Sequence, residues 1–167
     1  MDISSLQQIK KELEKVDHKQ MIQYCLKLAS YKRDNKLYLN YLLFESENEI
    51  TYKEKIQSEI LKQFEDINDS TVYYLKKRIR KTKQLLYKYV TFTEQMETHL
   101  ELYIFFLKQL HPYAQQIESS KQIQSMILTV IRSFEKKLSK LHEDLQYDFR
   151  QLFMHELPNL SQLLAQS

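Results

Sequence analysis

The chain of 167 residues contains no glycine and only two prolines. Glycine supplies the positive-φ corners of tight hairpins, phosphate-cradling loops and strained nucleophile turns, so a chain without it is built from helices and undemanding connections. The absence removes whole mechanisms as well. No P-loop, dinucleotide fingerprint or nucleophile elbow can be written in this alphabet. Hydrophobic residues at 43% and charged residues at 28% are ordinary for a globular chain, and no apolar run approaches the ~18 residues that a membrane span needs. The first residues, MDISSLQQIKKELEKV, place charged and apolar side chains at helical spacing without the basic-then-apolar order of a signal peptide. A cytoplasmic location is expected. The single cysteine, Cys25, excludes an internal disulfide framework and a cysteine-only metal site. Its neighbours Met21, Ile22, Leu26 and Leu28 mark it as core filling.

Helical spacing runs through almost the whole chain, and no stretch alternates long enough to argue a strand. The expected fold is all-α. The length suits a single domain spanning residues 1–167, arranged as a helical bundle or a short stack of helical hairpins with about six to eight helices. Ile3, Leu6, Ile9, Leu13 and Val16 mark the first helix. Asp17 and Gln20 form a capping-box start for the second, which turns Met21, Ile22, Cys25 and Leu28 inward. A third, roughly 35–46, is apolar nearly all round and belongs in the middle of a bundle. Thr51 and Glu54 repeat the capping-box pattern ahead of a stripe at Tyr52, Ile56, Ile60, Phe64 and Ile67, with Asn68 to Ser70 punctuating its end. The fifth helix covers about 70–92, with Val72, Leu75, Ile79, Leu86 and Val90 as its buried seam. The sixth, about 94–110, is again largely apolar and should also be central, with Pro112 closing it.

From about 119 to 157 there is neither glycine nor proline. Ile127, Ile131, Phe134, Leu138, Leu141, Leu145 and Leu152 step by four and three, missing only at Asp148, which is a coiled-coil seam pattern. The segment reads as one long C-terminal helix of about 58 Å, or as two if it breaks near Ser139. An uncovered seam would bury itself against a second copy or a partner helix; a covered one packs within the chain.

Catalytic constellations are missing from the pattern. The residues three before His18, His99, His111, His142 and His155 are Lys15, Met96, Lys108, Ser139 and Leu152, so no Glu-x-x-His di-iron motif exists. His142-Glu143 and His155-Glu156 open like a zincin helix, but Gln146 and Asn159 stand where the second ligand is required. Glu94, Glu97 and Glu101 share a helix face, where paired carboxylates can serve as acid and base, and where acidic residues also complement a helix N-terminus. Cys25 and His18 lie about two turns apart, too far for a nucleophile and its base. The expectation is a non-enzymatic protein with no metal and no cofactor.

Charge is distributed unevenly. Residues 1–68 carry 11 Lys and Arg against 12 Asp and Glu, and residues 93–167 carry 7 against 9, whereas residues 69–92 carry 7 against 1. The whole formal charge of +3 therefore originates in the stretch YYLKKRIRKTKQLLYKY, residues 73–89. At 100° per residue Lys76, Arg80 and Lys83 form one strip with Tyr73 and Tyr87 beside it, and Lys77, Lys81 and Lys88 form the next. A solvated face normally mixes signs and gains from i, i+4 pairs, but here like charges crowd. Either acidic residues on neighbouring helices relieve that crowding, such as the SENE loop or Glu94, Glu97 and Glu101, or the face awaits an anionic partner. In the second case Lys76, Lys77, Arg80, Lys81 and Lys83 are the anion contacts, with Tyr73 and Tyr87 as flanking stacking groups. Gln84 alone offers base-edge hydrogen bonding, and +3 is modest for a nucleic acid binder, so a protein partner is favoured over nucleic acid. Self-association through the C-terminal helix is the further expectation for partners.

Overall fold

The computed structural model of the protein describes residues 2–65 and 71–160. The expected end of the fourth helix at Ile67 to Ser70, and the first residue of the fifth, lie outside them. All regular structure among the described residues is helical, with no strand. The expectation of an all-α fold holds. The chain divides into two compact units, one ending at Ser46 and the other beginning at Glu47.

The N-terminal unit contains α1 (Leu6–Leu13), α2 (His18–Tyr31) and α3 (Arg33–Phe44). Ser5 starts α1 with a reciprocal capping box: its hydroxyl accepts from the Gln8 amide, and the Gln8 side chain accepts from the Ser5 amide. Asp17 caps α2 as expected, its carboxylate accepting from the Gln20 amide at 3.1 Å. The α2–α3 corner is the single extended residue Lys32, and the Asn35 side chain closes α2 by donating to the Leu28 carbonyl at 2.8 Å. The two helices pack as a hairpin.

Two expectations fail in this unit. Cys25 is exposed rather than core filling, and Ile22 and Leu28 are exposed beside it. The third helix, expected in the middle of a bundle, buries only Tyr41, which stacks on Tyr38. Leu43 is 64% exposed and Phe44 77%. The reason is geometric: α3 is apolar around its circumference, and one neighbour of similar size covers one stripe. With so little burial, amide protons of α2 and α3 should exchange at least ~100-fold faster than those of a well-buried helix such as residues 96–108. Hydrogen exchange followed by mass spectrometry measures this directly, and equal protection would contradict the exposure described.

The C-terminal unit begins with α4 (Glu49–Glu65). Its start is set by Asn48 rather than Thr51, since the Asn48 side chain accepts from the Thr51 amide at 3.1 Å and its carbonyl from the Tyr52 amide. Asparagine is the stronger cap and comes first, so the helix starts one turn early. Tyr52, Ile56 and Ile60 are buried as the stripe requires. In α5 (Val72–Val90) Leu75, Ile79, Leu86 and Val90 are buried, joined by Thr82, while Val72 is exposed at the first turn. Helix α6 (Met96–Lys108) is central, packing against α4 and α5 and two later helices, with eight of its residues buried. Neighbours cover most of its apolar circumference, leaving Phe105 half-buried. A 3₁₀ turn at His111–Tyr113, holding Pro112, separates α6 from the short α7 (Ala114–Glu118).

The long C-terminal helix is not formed. The segment breaks into α8 (Lys121–Leu138) and α9 (Glu143–Glu156), with Ser139 closing the first and His142, in extended conformation, capping the second. A continuous rod would separate Phe134 and Phe153 by about 28 Å; their ring centroids are 4.9 Å apart. Arg150 reaches back to Glu135 at 3.3 Å. The two helices thus form a hairpin, and each presents its own stripe to the core. Ile127, Ile131, Phe134 and Leu138 follow the expected seam, but in α9 the phase restarts on Phe149 and Phe153, while Leu152 is 40% exposed.

Candidate functional site

Helix α5 projects Lys77, Arg80 and Lys81 on the side away from Leu75, Ile79 and Leu86. Lys77, Arg80 and Lys81 are exposed, whereas Lys76 and Lys83 are half-buried at the edge facing α8. Lys76 Nζ donates to Gln122 Oε1 at 2.7 Å. Lys83 Nζ sits 6.0 Å from the Tyr87 ring centroid, within cation–π range. Of the two tyrosines expected to flank the strip, Tyr73 is 65% exposed and meets Tyr74 edge-on. Tyr87 is held against α8, its hydroxyl 2.6 Å from Ser133 Oγ and 3.3 Å from the Thr129 carbonyl it donates to. Burial raises its pKa, partly offset by the Ser133 hydrogen bond. The contacts occur in the same order along both helices, so α5 and α8 lie side by side and parallel.

Two of the acids that were to relieve the crowding are engaged elsewhere, and none of the others pairs with the strip. Glu101 pairs with Lys53, and Glu49 accepts from the Thr93 hydroxyl at 2.6 Å. Among the described residues, none forms an ion pair with Lys76, Lys77, Arg80, Lys81 or Lys83.

Where α5 ends, an open cleft of about 760 Å³ lies between α5, α6 and the end of α8. Lys136, Lys137 and Lys140 line one side, and Glu94 also borders it. Val90, Met96, Tyr87 and Tyr103 give it a largely apolar wall, the two tyrosine rings 5.9 Å apart. Burial raises the Tyr103 pKa strongly, with Tyr87 adding to it. Burial depresses the Lys137 pKa, helped by Lys140 and Lys136. His99, 3% exposed, also lines the cleft. Its Nε2 lies 2.9 Å from the Thr93 carbonyl oxygen. A carbonyl only accepts, so Nε2 carries the proton and Nδ1 holds a lone pair, and Nδ1 is buried with no partner.

Burial holds His99 below the ordinary histidine value of 6.5, more than its hydrogen bond to Thr93 restores. The folded state then binds fewer protons than the unfolded state just below that value, so this residue's contribution to stability is present above it and lost as pH falls. Ring NMR signals of His99 should remain those of the neutral form as pH passes down through 6.5, while the urea midpoint declines. A ring that protonates at the ordinary value would remove the contribution.

Of the cleft residues, the sequence singled out Tyr87 as a flanking group, Glu94 as one of three carboxylates on a face and Val90 as seam, and it passed over His99 after a search for metal motifs. The available signal was Lys136-Lys137 followed by Lys140, which puts three cations on one helix end. Among the described residues no three His, Cys, Asp or Glu side chains gather as metal ligands, and no helix is long and apolar enough to cross a membrane. Comparison with family models, with curated proteins and with solved structures finds no match.

Proposed function

We propose that the protein is a non-catalytic helical binding protein that engages an acidic surface of a protein partner along the outward face of α5. The carrying observation is the row of exposed cations at Lys77, Arg80 and Lys81, which no described acid neutralises. Tyr73 and Tyr74 stand exposed beside them, and tyrosine with arginine is the composition favoured in protein interfaces. Lys76 and Lys83 add charge from the α8 edge. A nucleic acid backbone is the second reading for the same cations, favoured by their repeated spacing. Self-association through the C-terminal helix has less to support it, because Ile127, Ile131, Phe134 and Leu138 are buried within the chain's own core. A cytoplasmic site of action belongs to the same proposal and rests on the exposed thiol of Cys25, which suits a reducing compartment.

The test is fluorescence anisotropy with labelled poly-glutamate and with labelled single- and double-stranded oligonucleotides, at about 50 and 200 mM salt. Poly-glutamate should bind, and more weakly at the higher salt, because such contacts are screened. Tighter binding of an oligonucleotide, with a steep slope of log K against log salt, would transfer the site to nucleic acid. No binding of any probe at low salt would refute both readings.

A further inference from the structure

We infer that the acidic partner of α5 is a second copy of this chain, which lays the outward face of its α9 along Lys77, Arg80 and Lys81. The inference rests on the reading of α5 given above and names its partner. Helix α9 meets the core through Phe149 and Phe153, and its opposite side exposes Asp144, Tyr147, Asp148 and Gln151. Acidic residues in a first turn complement the helix dipole, which accounts for Glu143 and Asp144. That effect fades beyond the first turn and leaves Asp148 and the exposed Tyr147 without a role inside the fold. Asp144 lies 3.3 Å from His142 Nδ1 at the surface. Among the described residues, neither it nor Asp148 pairs with a lysine or arginine. Both α5 and α9 pack against α6, so each chain carries an unpartnered basic helix face and an unpartnered acidic one.

The two faces match in spacing as well as sign. Lys77 and Lys81 are four residues apart, about 6 Å of rise, and so are Asp144 and Asp148, which lets two cations meet two carboxylates in one register. Tyr147 follows Asp144 as Arg80 follows Lys77, and arginine over a tyrosine ring is a favourable contact. Identical chains therefore complement one another, each offering both halves of the contact. This surface is the reverse of the heptad seam, whose Ile127, Ile131, Phe134 and Leu138 stay in the core.

Sedimentation equilibrium of the full chain at about 50 and 500 mM salt reads the association directly. The mass should exceed that of a monomer at the lower salt and fall toward it at the higher, where exposed charges are screened. Asp144→Lys combined with Asp148→Lys should weaken association by at least about tenfold at low salt, and so should glutamate at Lys77, Arg80 and Lys81, with circular dichroism unchanged in both. An equimolar mixture of these two variants should associate again, because each now complements the other. Asp148→Lys alone, beyond the first turn of α9, should weaken association in the same direction and serves if the double variant loses helicity. The α9 variant should bind labelled poly-glutamate at least as tightly as the natural chain, since its α5 is intact. A monomeric natural chain that binds poly-glutamate would overturn this inference alone, and a monomer that binds no anionic probe would overturn the reading of α5 with it. Association that survives reversal of α9, or two folded variants that do not associate when mixed, would also overturn it.

Discussion

Replacing Lys77, Arg80 and Lys81 together by glutamate should weaken binding of an anionic probe by at least about 100-fold at low salt while the domain stays folded. Each contact between unit charges about 4 Å apart in water is worth roughly 1 kcal/mol, and reversal converts three attractions into repulsions. The three side chains are exposed and unpaired among the described residues, so the cost to folding should remain within about 0.5 kcal/mol. Circular dichroism and thermal melting of the variant decide the second half, and anisotropy the first. A variant that loses its fold would show that the cations serve structure. Folded protein with undiminished binding would move the contact surface away from α5.

Phe153→Ala should lower stability by about 3–5 kcal/mol, the usual loss when a fully buried phenylalanine leaves a cavity. Its ring is fully buried and lies 4.9 Å from that of Phe134 across the α8–α9 hairpin. Against the ~5–15 kcal/mol that holds a typical domain together, such a loss should leave much of the protein unfolded near body temperature. Leu152→Ala, one position away and 40% exposed, should cost no more than about 0.5 kcal/mol. A continuous C-terminal rod predicts the opposite order, because Leu152 continues the heptad seam and Phe153 lies 100° off it. Urea denaturation of the two variants distinguishes the arrangements.

The hairpin shows where periodicity alone stops informing. A seam of i, i+3 and i+4 steps is the same whether it faces a partner chain or the chain's own core, and a break needing no glycine leaves little mark. At Ser139 to His142 the only traces are a serine that closes one helix and a histidine that caps the next. Helices α5 and α6 were legible because their apolar stripes are long and agree with what covers them. Helix α3 was not, since the same apolar richness that signals burial in α6 is left exposed when a single neighbour is at hand. The basic face of α5 could be read directly, being local in sequence. The cleft could not, because Tyr87, His99 and Lys137 are contributed by three separate helices and become neighbours only after folding.

Among the described residues no backbone position adopts a positive φ. Every corner within the described residues is therefore one that any L-residue can make on steric grounds, including the one-residue turn at Lys32. In evolutionary terms, the described corners hold no site reserved for glycine, and selection on them reduces to polarity, length and the side chains that cap the helices. Descendants of such a chain can exchange loop residues outside those caps and retain the same helices. Their sequences would drift apart with few invariant landmarks, and kinship would persist in the spacing of buried side chains long after residue identity had gone.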